Sequence, residues 1–212
     1  SSPYSIPWNS AGTLGTHTLK AIARDAAGNQ ATSASIGVTV VRLKPTAGYA
    51  FDESAGSIAS DVSGNNLSGT LTNGPTWAPG RYGNGVNLDG VDDYVNLNNP
   101  TALRITGSMT VSAWIKPASF GVGDTPIVSK RNNATSGYEL DTTVDQGPRA
   151  IGFKLTNSSG ANVVRYGATV LQANVWYHVA GVYDAAAGTM NVYLNGQVDN
   201  CALIGTVTAT QQ

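Results

Sequence analysis

The sequence is poor in charged residues and in long apolar segments. Asp, Glu, Lys and Arg make up 12% of the 212 residues, against roughly 25% in an average soluble domain. The 12 basic and 13 acidic residues leave a net charge of -1, and the basic ones form no cluster. Nucleic acids and anionic membranes bind clustered basic residues, so neither is expected as a partner. No apolar run approaches the ~20 residues that span a bilayer, so we expect no membrane insertion.

Cysteine and the common catalytic motifs are also scarce. Cys201 is the single cysteine, which excludes an intrachain disulfide and a cysteine-rich metal site. The sequence has no G-x-S-x-G elbow, zinc-binding pattern, phosphate-binding loop or dinucleotide fingerprint. Glycine is abundant instead, with 25 residues, together with Thr, Ser, Asn and Ala. This composition is typical of secreted bacterial β proteins, and we predict a secreted or cell-surface location.

Apolar residues recur with a period of two between turn signals, which indicates an all-β fold. The clearest segment is Met109–Ile115, where alternate residues share one face of a strand. Trp114 falls on the opposite face, and we expect it to pack under a loop or against a second layer. Dipeptides such as Asn195-Gly196 fit tight hairpin turns, because Asn and Gly tolerate a positive φ.

The amino-acid composition changes near Lys44-Pro45-Thr46. Thr/Ala/Val-rich strands precede this point, and segments with aromatics and Asp follow it. Proline has no backbone N–H and suits a short linker between sheets. We therefore place a domain boundary at about residues 43–46, between a first domain at 1–44 and a second at 45–212.

The first domain resembles the C-terminal half of bacterial immunoglobulin-like repeats. The resemblance rests on Gly15-Thr16-His17-Thr18-Leu19 and the following residues up to Ala26-Ala27-Gly28-Asn29. Immunoglobulin-like domains need about seven strands, whereas about three are expected here. The domain is therefore interpreted as partial, either because the chain is a fragment or because a neighbouring chain supplies strands.

The second domain resembles the bacterial laminin G-like family. Five ordered sequence blocks carry the resemblance: A-G-Y-A-F-D-E-S-A-G, D-V-S-G-N-N-L-S-G-T-L, L-D-G-V-D-D-Y-V, M-T-V-S-A-W-I-K-P, and V-W-Y-H-V-A-G-V-Y-D with G-T-M-N-V-Y-L-N-G. The resemblance implies a concanavalin A-like jelly-roll β-sandwich. Members of the family close with one more strand, which this sequence lacks, so the C-terminal strand is expected to be missing.

The family resemblance implies a non-catalytic extracellular binding module, carbohydrate-binding or adhesive. Tyr138, Arg149, Arg165 and Tyr166 are the candidate ligand-binding residues, because they lie between the best-matched strands, where loops usually supply recognition. Exposed aromatic rings would stack on sugars, and polar side chains would pair with hydroxyls. The expected partner is an extracellular polysaccharide or glycan. The alternative is a structural spacer or assembly domain, completed by strand addition from neighbouring protein domains.

A third interpretation is a glucanase-like glycoside hydrolase. Glu139-Leu140-Asp141 followed by Asp145 is similar to the paired carboxylates of laminarinase-type enzymes. Those enzymes use two glutamates, and the last position here is an aspartate, so we expect no enzymatic activity. His178 lies in the middle of a predicted strand and is interpreted as a hydrogen-bonded core residue.

The oxygen-rich segment that begins at Asp61 is the candidate metal site. Asp52, Asp61, Ser63 and Asn65 offer the hard oxygen ligands that Ca²⁺ prefers, and related modules hold a structural calcium near such a loop. The spacing is not that of an EF-hand. The alternative is an Asx-type turn, in which the side chains hydrogen-bond their own backbone.

Overall fold

A computed structural model describes residues 14–40, 44–132 and 136–208. Two compact units make up the chain, residues 1–45 and residues 46–212. Within the described residues all regular elements are strands, apart from one short 3₁₀ helix at Thr101–Leu103. The all-β prediction is confirmed. No helix in the described part of the chain is long and apolar enough to cross a membrane.

The first unit contains four short strands in its described part. They are β1 (Gly15–Leu19), β2 (Ile22–Arg24), β3 (Gln30–Thr32) and β4 (Ile36–Val40). β1 pairs with β4 and β2 pairs with β3, both antiparallel. Asp25 closes the β2–β3 turn by accepting hydrogen bonds from the backbone and side-chain nitrogens of Asn29, at 2.9 and 2.7 Å. Residues 1–13 of the predicted immunoglobulin-like part lie outside the described residues, and its assignment stays a prediction.

The second unit begins with two small antiparallel sheets. One has the order β5-β6-β9 and the other is a β7–β8 hairpin. The strands are β5 (Ile58–Ala59), β6 (Gly69–Thr72), β7 (Thr76–Pro79), β8 (Asn84–Asn87) and β9 (Tyr94–Asn96). The turn that joins β7 to β8 contains Arg81, Tyr82 and Gly83, and it helps to form the site described below.

Two larger antiparallel sheets form the body of the second unit. The four-stranded sheet has the order β10-β15-β16-β17, and the five-stranded sheet has the order β11-β12-β13-β14-β18. The strands are β10 (Met109–Ile115), β11 (Thr125–Asn132), β12 (Ser136–Thr143), β13 (Ala150–Thr156), β14 (Asn162–Gly167), β15 (Tyr177–Asp184), β16 (Thr189–Leu194), β17 (Gln197–Val198) and β18 (Asn200–Ile204).

The two sheets pack face to face around one apolar core. Both sheets contribute to it, with residues such as Leu140 and Phe153 from one sheet and Val179 and Val192 from the other, all fully buried. Gly181 faces this core, and a Cβ atom at that position would overlap the ring of Phe153. The period-two alternation in each strand therefore separates a core face from an outer face, and the outer faces carry the polar groups considered next.

Candidate functional site

The two tyrosines predicted to bind a ligand are buried. Tyr138 is 4% exposed and donates a hydrogen bond to the carbonyl oxygen of Leu103 at 3.0 Å. Tyr166 is 5% exposed and donates to Oδ2 of Asp145 at 3.1 Å. Neither ring faces solvent, so the prediction that they stack on a sugar as exposed aromatics was wrong.

The two predicted arginines also hold the structure together. The guanidinium of buried Arg149 donates to the carbonyl oxygens of Gly121 and Gly123, and so fixes the loop before β11. Arg165 donates to the carbonyl oxygens of Met190 and Cys201, at 2.8 and 3.2 Å. Both Nη atoms of Arg149, and Nε and Nη1 of Arg165, donate to backbone carbonyl oxygens and so hold protein structure, where the prediction had them pair with sugar hydroxyls.

The physical reason is that Tyr138, Arg165 and Tyr166 lie in strands, and that Arg149 lies in the short connection between β12 and β13. β12, β13 and β14 are consecutive members of the five-stranded sheet. Tyr138 and Arg165 point to the core side of this sheet, and Tyr166 lies on the other side, so the four predicted residues do not form one exposed surface.

Three of the predicted calcium ligands form a hydrogen-bonded turn. Asp61 Oδ1 accepts from the backbone nitrogens of Gly48 and Ser63, at 3.0 and 2.9 Å. Its Oδ2 accepts from the Ser63 hydroxyl and from Leu67 N, at 2.8 and 2.9 Å. The Asn65 amide donates to the carbonyl oxygen of Thr46 at 2.9 Å. A carboxylate has about four acceptor positions, and here four donors fill them.

Asp52, the fourth predicted calcium ligand, takes part in a different set of hydrogen bonds. Its Oδ1 accepts from Asn84 N at 3.0 Å, and its carbonyl oxygen accepts from the Asn84 side chain at 3.1 Å. The four residues therefore do not converge as one ligand set, and the filled carboxylate of Asp61 does not fit a calcium ion. The contacts are those of an Asx-type turn.

We expect Asp61→Ala to lower the melting temperature by several degrees, equally with calcium and with chelator, while chelator leaves the wild type unchanged. Donors from Leu67, Ser63 and Gly48 hold the pKa of Asp61 well below its ordinary value of 3.8. Its contribution to stability is therefore present above that value and is lost as the pH falls through the folded-state pKa.

Asp92→Ala is the matched control for the turn, because this carboxylate accepts no hydrogen bond from the described residues. Its melting temperature should stay close to that of the wild type. A wild-type melting temperature that drops with chelator, together with loss of that response in Asp61→Ala, would restore calcium at this loop.

The carboxylates of the hydrolase interpretation lie in a buried charged cluster. Glu139 and Asp141 occupy the outer face of β12, and Lys154 on β13 lies directly opposite Glu139. The Lys154 Nζ atom is 2.6 Å from Asp141 Oδ2 and 4.0 Å from Glu139 Oε1, and it also pairs with Asp124. Asp145 lies beyond the end of β12, where it accepts from Tyr166.

This cluster carries an excess of negative charge. Arg131 contacts Glu139 at 3.8 Å, so three carboxylates face two cations. Asp141 is fully buried, and desolvation raises its pKa to about 7 against the opposing pull of Lys154. The pKa of Lys154 is raised by Asp124 and Asp141, which outweigh the opposing effect of its own burial. Burial is therefore the main cause of the raised pKa of Asp141, and the charges of Asp124 and Glu139 raise it further.

A second acidic group lies on the surface, at Asp89, Asp92 and Asp93. Asp89 Oδ1 accepts from Val91 N at 2.8 Å, and Asp93 Oδ2 accepts from Asp89 N at 3.0 Å. These hydrogen bonds shape the turn before β9, and the pKa of Asp89 is lowered mainly by the bond from Val91.

An open cavity of about 560 Å³ lies beside the outer face of the four-stranded sheet. Its lining residues are Arg81, Trp114, Trp176, His178, Asn195 and Gly196. Trp114 and His178 are direct cross-strand partners on β10 and β15, with ring centroids 5.3 Å apart. Tyr82 meets Trp114 edge to face at 5.6 Å. Tyr82 and Trp114 are 68% and 41% exposed, so two large aromatic groups of this assembly face solvent. We call the six lining residues and Tyr82 together the aromatic cavity.

Two tight turns position the polar residues of the aromatic cavity. Asn84 N is held by Asp52, and Gly83 has φ 65° with no room for a Cβ atom beside the Asp52 carboxylate. This fixes the turn that presents Arg81 and Tyr82. Asn195, at φ 52°, exchanges hydrogen bonds with His178, through its own N at 2.7 Å and its Oδ1 at 2.9 Å.

Two residues of the aromatic cavity, His178 and Trp114, had a position predicted from the sequence. The ring of His178 lies beside Trp114 on the outer face, so the prediction that it is a core residue was wrong. The Met109–Ile115 alternation did place Trp114 on the outer face, and the turn containing Tyr82 packs against it. A tryptophan on a strand face that otherwise carries Thr110 and Ser112 is the feature from which this site could have been predicted.

The fold and the cavity together define an antiparallel β-sandwich with an exposed aromatic site. The family model described as the concanavalin A-like lectin/glucanases superfamily matches residues 89–210, and the chain belongs to that superfamily. The laminin G-like resemblance is therefore confirmed. Arg81 and Tyr82 lie outside the matched residues.

The chain is also similar to a solved structure, that of residues 221–444 of an S-layer domain-containing protein from Clostridium thermocellum ATCC 27405. The two are 29% identical, the match covers 76% of this chain and 73% of that chain, and the TM-score is 0.47. No curated protein sequence matched the chain.

Proposed function

We propose that this chain is a non-catalytic extracellular module that binds glycans at the aromatic cavity. The observation that carries the proposal is the group of exposed Tyr82 and Trp114 and half-buried Trp176 at one cavity. Aromatic faces cover the apolar side of a sugar ring, and side chains such as Asn195 offer donors and acceptors for its hydroxyls. The cavity volume is within the ~300–1,000 Å³ range of small-molecule sites.

The buried carboxylates support the non-catalytic part of the proposal. Asp141 is inaccessible to solvent, and Glu139 is engaged with Ser129, whose hydroxyl donates to Oε2 at 2.7 Å. A retaining hydrolase needs two carboxyl groups about 5–5.5 Å apart on either side of the scissile bond. A sugar has no access to Asp141, so we expect a bound glycan to remain uncleaved.

The test is binding to an immobilised panel of plant, algal, bacterial and host glycans, followed by affinity electrophoresis on those that bind. We expect micromolar to millimolar affinity, about -4 to -8 kcal/mol, because the cavity is open. Trp114→Ala should weaken binding at least about tenfold, since it removes the central aromatic face.

Tyr94→Ala is the control, because Tyr94 is an exposed aromatic residue outside the cavity lining. It should bind as tightly as the wild type, and both variants should keep the wild-type melting curve. Failure to bind any glycan of the panel, or unchanged binding by a folded Trp114→Ala variant, would count against the proposed function.

A further inference from the structure

Arg81 gives the aromatic cavity a fixed positive charge. Its guanidinium carbon lies 5.2 Å from the ring centroid of Tyr82 and 5.5 Å from that of Trp114. A guanidinium within ~6 Å of a ring centroid is attracted to the ring face. Packing of this kind orients the planar group and leaves its N–H edges open to a ligand.

No protein carboxylate forms an ion pair with Arg81 in the described part of the chain. The ion pairs there belong to Arg131 and Lys154, and none of them involves Arg81. The cavity lining contains no acidic residue. The acidic residue that holds the same turn is Asp52, and its carboxylate accepts a hydrogen bond from Asn84 N. The cavity is therefore cationic in a chain whose net charge is -1.

We propose that the aromatic cavity selects sugars that carry an oxyanion, either a carboxylate or a sulfate ester, and that Arg81 binds this group. The inference rests on the proposed function and adds the chemical class of the ligand. Arginine binds such oxyanions through two parallel, charge-assisted N–H···O bonds. Trp114 and Tyr82 lie beside the guanidinium and would contact the sugar that carries the oxyanion. Since Arg81 precedes the residues matched by the family model, this selectivity is assigned to the chain's own β7–β8 turn.

Polymers that share one backbone and differ only in charge test this directly. Dextran, carboxymethyl dextran and dextran sulfate form one set, and methyl-esterified and free polygalacturonate form another. Binding is measured by affinity electrophoresis at a fixed ionic strength of about 0.15 M, where the Debye length is ~8 Å and distant charges are screened. The carboxylate and sulfate members distinguish the two oxyanions.

The wild type should bind the acidic member of at least one set about tenfold more tightly than its neutral partner. Arg81→Gln should remove this difference. Arg81→Lys should retain only part of it, because an ammonium group keeps the charge but not the paired N–H geometry. Arg104→Gln is the matched control, since Arg104 is exposed and outside the cavity lining, and it should bind like the wild type.

Three results would overturn the inference: equal binding of neutral and acidic polymers, a preference that survives in Arg81→Gln, or an equal loss in Arg104→Gln. If neutral polymers bind and Trp114→Ala weakens them, the proposed function stands while the oxyanion inference fails. If no polymer of either set and no glycan of the panel binds, both fail.

Discussion

Replacement of Lys154 by methionine is expected to lower the free energy of unfolding by about 3–5 kcal/mol at about pH 8. Lys154 is 6% exposed and contacts Asp124 and Asp141, with Glu139 at 4.0 Å. Methionine fills a similar volume but leaves buried carboxylates without a cation. The loss arises from their desolvation, since removal of one partner of a buried ion pair costs far more than removal of an exposed charge.

Chemical unfolding of Lys154→Met and of the control Lys116→Met measures this difference. Lys116 is exposed and forms none of the ion pairs among the described residues, so its replacement should change the free energy of unfolding by less than about 0.5 kcal/mol. A Lys154→Met variant whose stability differs from the wild type by no more than the control would show that the cluster has little part in holding the five-stranded sheet.

Asp141→Asn is expected to remove a pH dependence from the stability of the protein. The folded-state pKa of Asp141 is about 7, above its ordinary value of 3.8, because burial and the neighbouring carboxylates penalise its charge. The folded state therefore holds a proton that the unfolded state releases between these two values. Stability from this group is complete below about pH 4 and is lost as the pH rises to about 7.

The quantity to measure is the free energy of unfolding of the wild type minus that of Asp141→Asn, from about pH 4 to pH 8. Subtraction removes the contributions of the other carboxylates. The difference should fall with rising pH by at most about 1.4 kcal/mol per pH unit and level off above about pH 7. A difference that rises with pH would mean that Lys154 dominates and lowers the pKa of Asp141.

The strands of the four-stranded sheet were predictable because each has one buried and one less buried face. In Met109–Ile115 the alternation of apolar and polar residues predicted both the strand and the outward side chain of Trp114. The same rule failed for the strands of the five-stranded sheet. There, charged groups such as Glu139 and Lys154 lie on an outer face that is itself largely buried, so the polar residues resembled those of solvated loops. Sequence spacing carries no information on the ion pairs that make this burial possible.

The aromatic cavity as a whole was not predictable from the sequence, because its residues are far apart along the chain. Arg81 belongs to a turn between two short strands, whereas Trp114, His178 and Asn195 belong to the four-stranded sheet and its hairpin. Only the folded chain brings them together. The loop at Asp61 was recognised correctly as rich in oxygen atoms, but the sequence left calcium and an Asx-type turn as alternatives. The hydrogen-bond donors around the carboxylate favour the turn, and these come mostly from backbone N–H groups.

The most direct test of the account is a titration with a glycan that the panel shows to bind. Proton–nitrogen correlation spectra follow the tryptophan indole N–H signals during this titration. Trp114 and Trp176 line the cavity, whereas the indole of Trp77 donates to the carbonyl oxygen of Gly56 at 2.9 Å and is not part of the lining. We predict that the Trp114 and Trp176 signals shift together and saturate with one dissociation constant, while the Trp77 signal stays in place. Saturable binding with no change at Trp114 and Trp176 would place the glycan elsewhere and contradict the account.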